Sequence, residues 1–251
     1  MLLENETKIM SALLVFFILM LPTNIEADFM QQGSKLVGAG AIGYAPQGAS
    51  VSLSSDGSTA IVGAPRDGNG TGAVWIWART GGIWSQQGTK LVGSGSVGIS
   101  AQGFSVSLSS DGNTAMVGGA GDGRTGAVWV WTRSEGIWSQ FGNKLVAVGS
   151  DSSSEQGTSV SLSSEGNTAI VGGRGDSGRT SAAYIWTRSG NAWSQQGGPL
   201  IGSGDGNSAN LGAHVSLSSD GNIAIVGGSG NNCAWIWKRS GDVWSQQGET
   251  L

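Results

Sequence analysis

One fifteen-residue phrase occurs four times in this chain. It reads SVSLSSDGSTAIVGA at Ser50–Ala64, and returns with small changes at Ser105–Gly119, Ser159–Gly173 and His214–Gly228. Its acidic residue, Asp56, Asp111, Glu165 or Asp220, recurs at intervals of 55, 54 and 55 residues. Trp84, Trp138, Trp193 and Trp244 mark a second slot, whose last interval is shorter because a loop before Cys233 is trimmed. A period of this size means repeated modules that bury their apolar faces against one another: a solenoid, a propeller or an array.

Each module reads as four short strands. In the second copy, SVSLSS alternates, placing Val106 and Leu108 on one face. Asp111-Gly112 turns the chain, since Gly accepts positive φ and Asp bonds the turn backbone. TAMVGG returns, GDGRTG turns again, AVWVWTR is a third strand, SEG a third turn, and the segment from Ile137 a fourth strand. No helical period is present. Four antiparallel strands per unit make the blade of a β-propeller. The third strand argues against independent four-stranded domains. In AVWIWAR, Trp75 and Trp77 share one face and Val74 and Ile76 the other. A strand apolar on both faces must be covered on both, and blades stacked face to face provide that cover. The expected fold is therefore all-β, a propeller-like array of four four-stranded antiparallel blades, either a closed four-blade ring or an open partial propeller. The repeats span approximately 29–85, 86–139, 140–194 and 195–251.

Composition agrees with a packed fold and narrows the partners. The chain has 45 Gly, 11 Trp and 12% charged residues, with a net charge of −4 and no basic run. That argues against nucleic acid and against a polybasic membrane contact, both of which need clustered Lys and Arg. Cys233 is the single cysteine, so no intrachain disulfide can form and the residue reads as a small strand side chain. Residues 1–27 read as a secretory signal: an apolar run from Ser11 to Pro22, then a small residue at Ala27. The leader carries Glu4 and Glu6, so initiation at Met10 rather than Met1 fits that reading better. An uncleaved N-terminal anchor is the alternative.

Certain residues in each repeat resemble the FG-GAP repeat of integrin alpha-subunit propellers and of many secreted proteins. Gly63-Ala64-Pro65 keeps the GAP half in the first copy, and the later copies carry Gly118-Gly119, Gly172-Gly173 and Gly227-Gly228. The FG half survives as its glycine, at Gly48, Gly103, Gly157 and Gly212. The resemblance covers about residues 29–251 and implies a propeller; it assigns no activity. Integrin-type repeats often hold calcium in a loop of alternating Asp or Asn between the two halves. Here that segment carries one carboxylate per copy, whereas calcium takes six or more oxygens. Asp56, Asp111, Glu165 and Asp220 are therefore expected to be turn residues, and no cofactor is expected, calcium included.

Catalytic chemistry finds little to stand on. His214 is the single histidine and occupies the slot of Ser50, Ser105 and Ser159. No Ser–His–Asp set or carboxylate pair stands apart from the turns. The expectation is a secreted, non-enzymatic scaffold that binds a protein or extracellular surface through loops at the blade ends. The alternative is a carbohydrate-binding propeller. In that reading Trp84, Trp138, Trp193 and Trp244, with Arg79, Arg133, Arg188 and Arg239 recurring nearby, line sugar pockets between blades. Arg stacked on Trp in plain inter-blade packing competes with it. Arg174-Gly175-Asp176 spells an adhesion tripeptide, although repeat drift explains it. Asn69-Gly70-Thr71 is a glycosylation sequon. Self-association that completes the propeller is a further expectation.

Overall fold

The computed structural model describes residues 30–150, 153–175, 181–203, 210–230, 233–249 and 251. The expected signal segment, 1–27, lies outside them. The chain divides into a unit of Met1–Ser34 and a unit of Lys35–Leu251. In the first unit, Gln31 donates its side-chain amide to the Gly33 carbonyl at 2.8 Å. The second unit holds the strands.

Blade 1 comprises β1 (Ser50–Leu53), β2 (Thr59–Ala64), β3 (Ala73–Thr80) and β4 (Ile83–Gln86). Blade 2 comprises β5 (Ser105–Leu108), β6 (Thr114–Gly119), β7 (Ala127–Ser134) and β8 (Ile137–Gln140). Blade 3 comprises β9 (Gln156–Leu162), β10 (Thr168–Gly173), β11 (Ala182–Ser189) and β12 (Ala192–Gln195). Blade 4 comprises β13 (Leu211–Leu217), β14 (Ile223–Gly228), β15 (Cys233–Ser240) and β16 (Val243–Gln247). Each blade is an antiparallel meander in chain order. The turns joining first to second and third to fourth strands therefore share one end of the array.

The third strands behave as their pattern demands. Trp75, Trp129 and Trp235 are fully buried, as are Val74, Ile76, Val128 and Val130 on the opposite faces of the same strands. Ile61, Val74 and Ile76 of blade 1 pack on Val106, Leu108, Trp129 and Trp131 of blade 2. Met116, Val128 and Val130 of blade 2 repeat the arrangement against Val160, Leu162, Tyr184 and Trp186 of blade 3. Ile170, Ala183 and Ile185 of blade 3 meet Leu217, Val226, Trp235 and Trp237 of blade 4. No apolar cluster among the described residues joins blade 4 back to blade 1. The array is the open partial propeller, not the closed four-blade ring.

Polar contacts between first strands fix the register of each seam. The N–H of Leu108 donates to Ser52 Oγ at 3.0 Å, that of Leu162 to Ser107 Oγ at 3.0 Å, and that of Leu217 to Ser161 Oγ at 3.1 Å. Ser50, Ser105 and Ser159 donate their hydroxyls to the carbonyls of Gly103, Gly157 and Gly212 of the next blade at 2.7–2.8 Å. These carbonyls lie so close to the neighbouring second strand that a methyl group at Gly118 would sit 2.2 Å from the Gly157 oxygen. Gly63, Gly118 and Gly172 of the GAP half are thus close-approach positions, which is why a side chain is excluded there.

The hairpin carboxylates are turn residues. Asp56 accepts from Ser54 Oγ at 2.6 Å and from the Ser58 N–H at 2.9 Å. Asp111 and Asp220 accept the equivalent bonds from Ser109 and Asn113, and from Ser218 and Asn222. Glu165 departs from this. Its longer side chain receives the Asn167 amide at 3.1 Å, and Ser163 turns to Asn167 instead.

Candidate functional site

At the turn end, a cleft of about 510 Å³ opens between blades 3 and 4. Its walls are the β9–β10 and β13–β14 hairpin turns, carrying Ser163, Ser164, Glu165, Asn167, Ser219 and Asp220. Thr187, Arg188 and Gln196 of blade 3 and Arg239 and Asp242 of blade 4 close the sides. Two arginines and three acidic residues therefore line one concavity rich in hydroxyls and amides.

The geometry comes from cross-strand pairing. Arg79 stands opposite Trp84, Arg133 opposite Trp138, Arg188 opposite Trp193 and Arg239 opposite Trp244. Three guanidiniums lie over their partner indoles, at 5.8, 5.5 and 5.8 Å in blades 1, 2 and 4. All four tryptophans are half-buried. The structure therefore sets each Trp opposite its Arg across a strand pair, with the guanidinium over the indole in blades 1, 2 and 4, rather than gathering them in one shared pocket.

What differs from seam to seam is a single position after the fourth strand. Between blades 1 and 2, Gln87 accepts from Trp138 Nε1 at 2.9 Å and from Arg133 Nη1 at 3.2 Å. Between blades 3 and 4, Gln196 accepts from Trp244 Nε1 at 2.9 Å and donates to Asp242 at 2.8 Å. Between blades 2 and 3 the slot holds Phe141. Arg188 lies 4.2 Å over that ring, and the buried Trp193 Nε1 is left without a hydrogen-bond partner. Arg239 is fixed by donating Nε to Asn222 Oδ1 at 2.9 Å. Asp220 is held below the usual carboxylate range by bonds from the Ser218 hydroxyl and from the Asn222 side chain and N–H. It stays anionic at neutral pH.

Sequence reading passed over two acidic positions. Asp67 and Asp122, in the loops between second and third strands, are buried. Each accepts a backbone N–H, from Ile42 at 2.7 Å and from Val97 at 2.6 Å, and each is paired with a lysine, Lys90 or Lys144. The recurring Lys-Leu pair at 90–91 and 144–145 was the available signal. Of the adhesion tripeptide, Arg174 lies 3.6 Å from Glu155; Asp176 lies outside the described residues. Arg174 and His214 border a second cavity of about 480 Å³, lined by the first strands, which also holds Ser50, Phe104 and Ser159. Asn69 is exposed. Among the described residues no helix is long and apolar enough to cross a membrane.

No family model and no curated protein matches the chain. The FG-GAP likeness therefore stands on the residues quoted above. Solved structures do match. A Bacteroides uniformis protein provisionally named 6-phosphogluconolactonase aligns over 80% of this chain and 54% of its own, at 12% identity and a TM-score of 0.56. The periplasmic gluconolactonase of Pseudomonas aeruginosa aligns over 80% and 56%, at 15% identity and 0.53. A Desulfotomaculum acetoxidans protein of unknown function aligns over 79% and 54%, at 11% and 0.55. The chain thus has a β-propeller-type fold and spans little more than half the length of these solved chains.

These neighbours correct one expectation, that of a protein without enzymatic activity. Two of them bear the names of lactone-hydrolysing enzymes, so a missing Ser–His–Asp set does not exclude catalysis in this fold. The physical reason is visible in the cleft. Glu165, Asp220 and Asp242 come from three turns of two blades, and no local sequence pattern groups them.

Proposed function

We propose that this chain is a secreted, FG-GAP-like recognition propeller that binds a hydroxyl-rich ligand, of carbohydrate type, in the cleft between blades 3 and 4. The supporting observation is that Arg239, Glu165, Asp220 and Asp242, with several hydroxyl and amide side chains, line one cleft of about 510 Å³. Vicinal hydroxyls both donate and accept, and a wall of carboxylates, amides and the Arg239 guanidinium offers partners for both. The half-buried Trp244, adjoining through Gln196, supplies an optical reporter.

The test is titration of the purified protein with a panel of mono- and oligosaccharides and sugar lactones, read by tryptophan fluorescence and calorimetry. Lactone hydrolysis is followed in the same samples, because the fold neighbours are named for it. Saturable binding should weaken roughly 10- to 100-fold in Arg239→Ala, the loss of a charge-assisted hydrogen bond. A panel with no saturable response, or binding unchanged in Arg239→Ala and Asp242→Ala, sinks the proposal.

A second reading has its own support. Ile83, Ile137 and Val243 are each exposed at the start of a fourth strand, at equivalent places on three blades. A repeated row of exposed apolar residues suits a protein or cell-surface partner. Attachment that survives replacement of all three residues by glutamate would remove it. Glycosylation at Asn69 would appear as a mass loss on enzymatic deglycosylation of the secreted chain.

A further inference from the structure

The two ends of the array present the two halves of an interface that the chain already builds three times. On the leading face, Val106 and Leu108 of blade 2 are 9% and 7% exposed, yet their counterparts in blade 1, Val51 and Leu53, are 68% and 56% exposed. On the trailing face, Ile61, Met116 and Ile170 are fully buried by the next blade, yet their counterpart in blade 4, Ile225, is 42% exposed and the adjoining Ile223 is 47% exposed. Residues that are buried or partly buried at every internal seam are thus surface at the two terminal faces.

The polar register is equally prepared. Ser216 stands in the place of Ser52, Ser107 and Ser161, whose hydroxyls accept the N–H of the next blade's leucine. In blade 1 that leucine is Leu53. The Ser55, Ser110 and Ser164 N–H groups each donate to the next blade's serine carbonyl, at 2.9–3.0 Å. Ser219 holds the same place in blade 4, and Ser55 offers the matching carbonyl. Gly63, Gly118 and Gly172 are each overlain by a carbonyl that a methyl would strike at 2.1–2.2 Å. Gly227 is their equivalent, but its nearest atoms belong to His214 of its own blade at 3.7 Å. The close-approach glycine is in place with no carbonyl of another blade over it among the described residues. Blade 1 also carries the connecting segment found inside each seam: Gly38 lies on Trp75 as Gly93 lies on Trp129.

We infer that the occupant of both faces is a second copy of this chain, with blade 4 of each copy seated on blade 1 of the other in an eight-blade ring. The junction continues the internal seams: Val51 and Leu53 enter against Ile225 and Ile236, and the Gly48 carbonyl, counterpart of that of Gly103, lies over Gly227. A head-to-tail contact of this kind closes when the rotation per unit divides the turn. The alignment to 54–56% of the solved propeller chains gives the arc about half a ring, so two copies complete it, and eight blades lie within the range such rings adopt.

The experiment is the mass of the full secreted chain in solution by light scattering and sedimentation equilibrium, across micromolar concentrations. The expected mass is that of two chains. Ile225→Glu and Val51→Glu alter residues that are exposed in the single chain, and Gly227→Val alters a half-buried one. Each should shift the protein to monomer, with β-sheet circular dichroism unchanged, while Val243→Glu on the outer edge leaves the pair intact. A monomer at every concentration overturns the inference and assigns the faces to another protein or to further blades. A ladder of higher masses overturns the closed ring, and an undiminished pair in Gly227→Val and Ile225→Glu places the contact elsewhere.

Discussion

At the scale of single residues, the repeat works because each turn carboxylate is spent on its own hairpin. Bonds from the Ser54 hydroxyl and the Ser58 N–H and hydroxyl lower Asp56 to about 2. Asp111 is also lowered: burial pushes it up, but the Ser109 hydroxyl, the Asn113 N–H and side chain, and Arg133 outweigh that. A carboxyl depressed in the folded state stabilises the fold above the unfolded value near 4 and loses that contribution as pH falls through the folded value. The melting temperature should therefore drop between about pH 4 and pH 2. Asp56→Asn and Asp111→Asn should flatten that drop, which scanning calorimetry across the acid range would show. Gln87 gives a second prediction. Gln87→Ala removes the acceptor shared by Trp138 Nε1 and Arg133, which should cost about 1–3 kcal/mol, read from urea unfolding. Lys144→Met, which strands the buried Asp122, should cost about 3–5 kcal/mol.

At the scale of strands and hairpins, most of the architecture was legible, and the reason is the third strand. Trp75 and Trp77 alternating with Val74 and Ile76 could be satisfied only between two sheets, and that is where they lie. The strand order followed from turn chemistry at Asp111-Gly112 and its sisters. The cleft was not legible, because its residues become neighbours through the seam between blades. Arg188 and Trp193 were singled out as a pair, but Phe141, from the preceding blade, draws the guanidinium onto its ring. Nothing in the spacing of the repeat announces that one-residue change. The buried Asp67–Lys90 and Asp122–Lys144 pairs were missed for a similar reason, since each partner sits in a different loop. The seam itself makes a prediction at this scale. Gly118→Ala drives a methyl into the Gly157 carbonyl and should destabilise by about 1–3 kcal/mol, measured by thermal unfolding. The same change at Gly227 meets no atom of the described residues closer than 3.7 Å.

At the scale of the molecule, the apolar clusters among the described residues join each blade to its neighbours in sequence, so stability is a sum of blade and seam contributions. Blades 2 and 3 each have two seams, whereas blades 1 and 4 have one among the described residues. Amide hydrogen exchange should follow that difference. In dilute protein, protection should be greatest in β6, β7, β10 and β11 and least in β14 and β16, where Ile223, Ile225 and Val243 are open to water. Raising the concentration tests the pairing of copies from a different direction. Association that buries the terminal faces stabilises the folded array by mass action, so β1, β2 and β14 should gain protection while β6 and β10 change little. In Gly227→Val the terminal strands should exchange at the dilute rate at every concentration. A gain confined to β4, β8 and β16 would locate the contact on the outer edge, at Ile83, Ile137 and Val243, instead of at the blade faces.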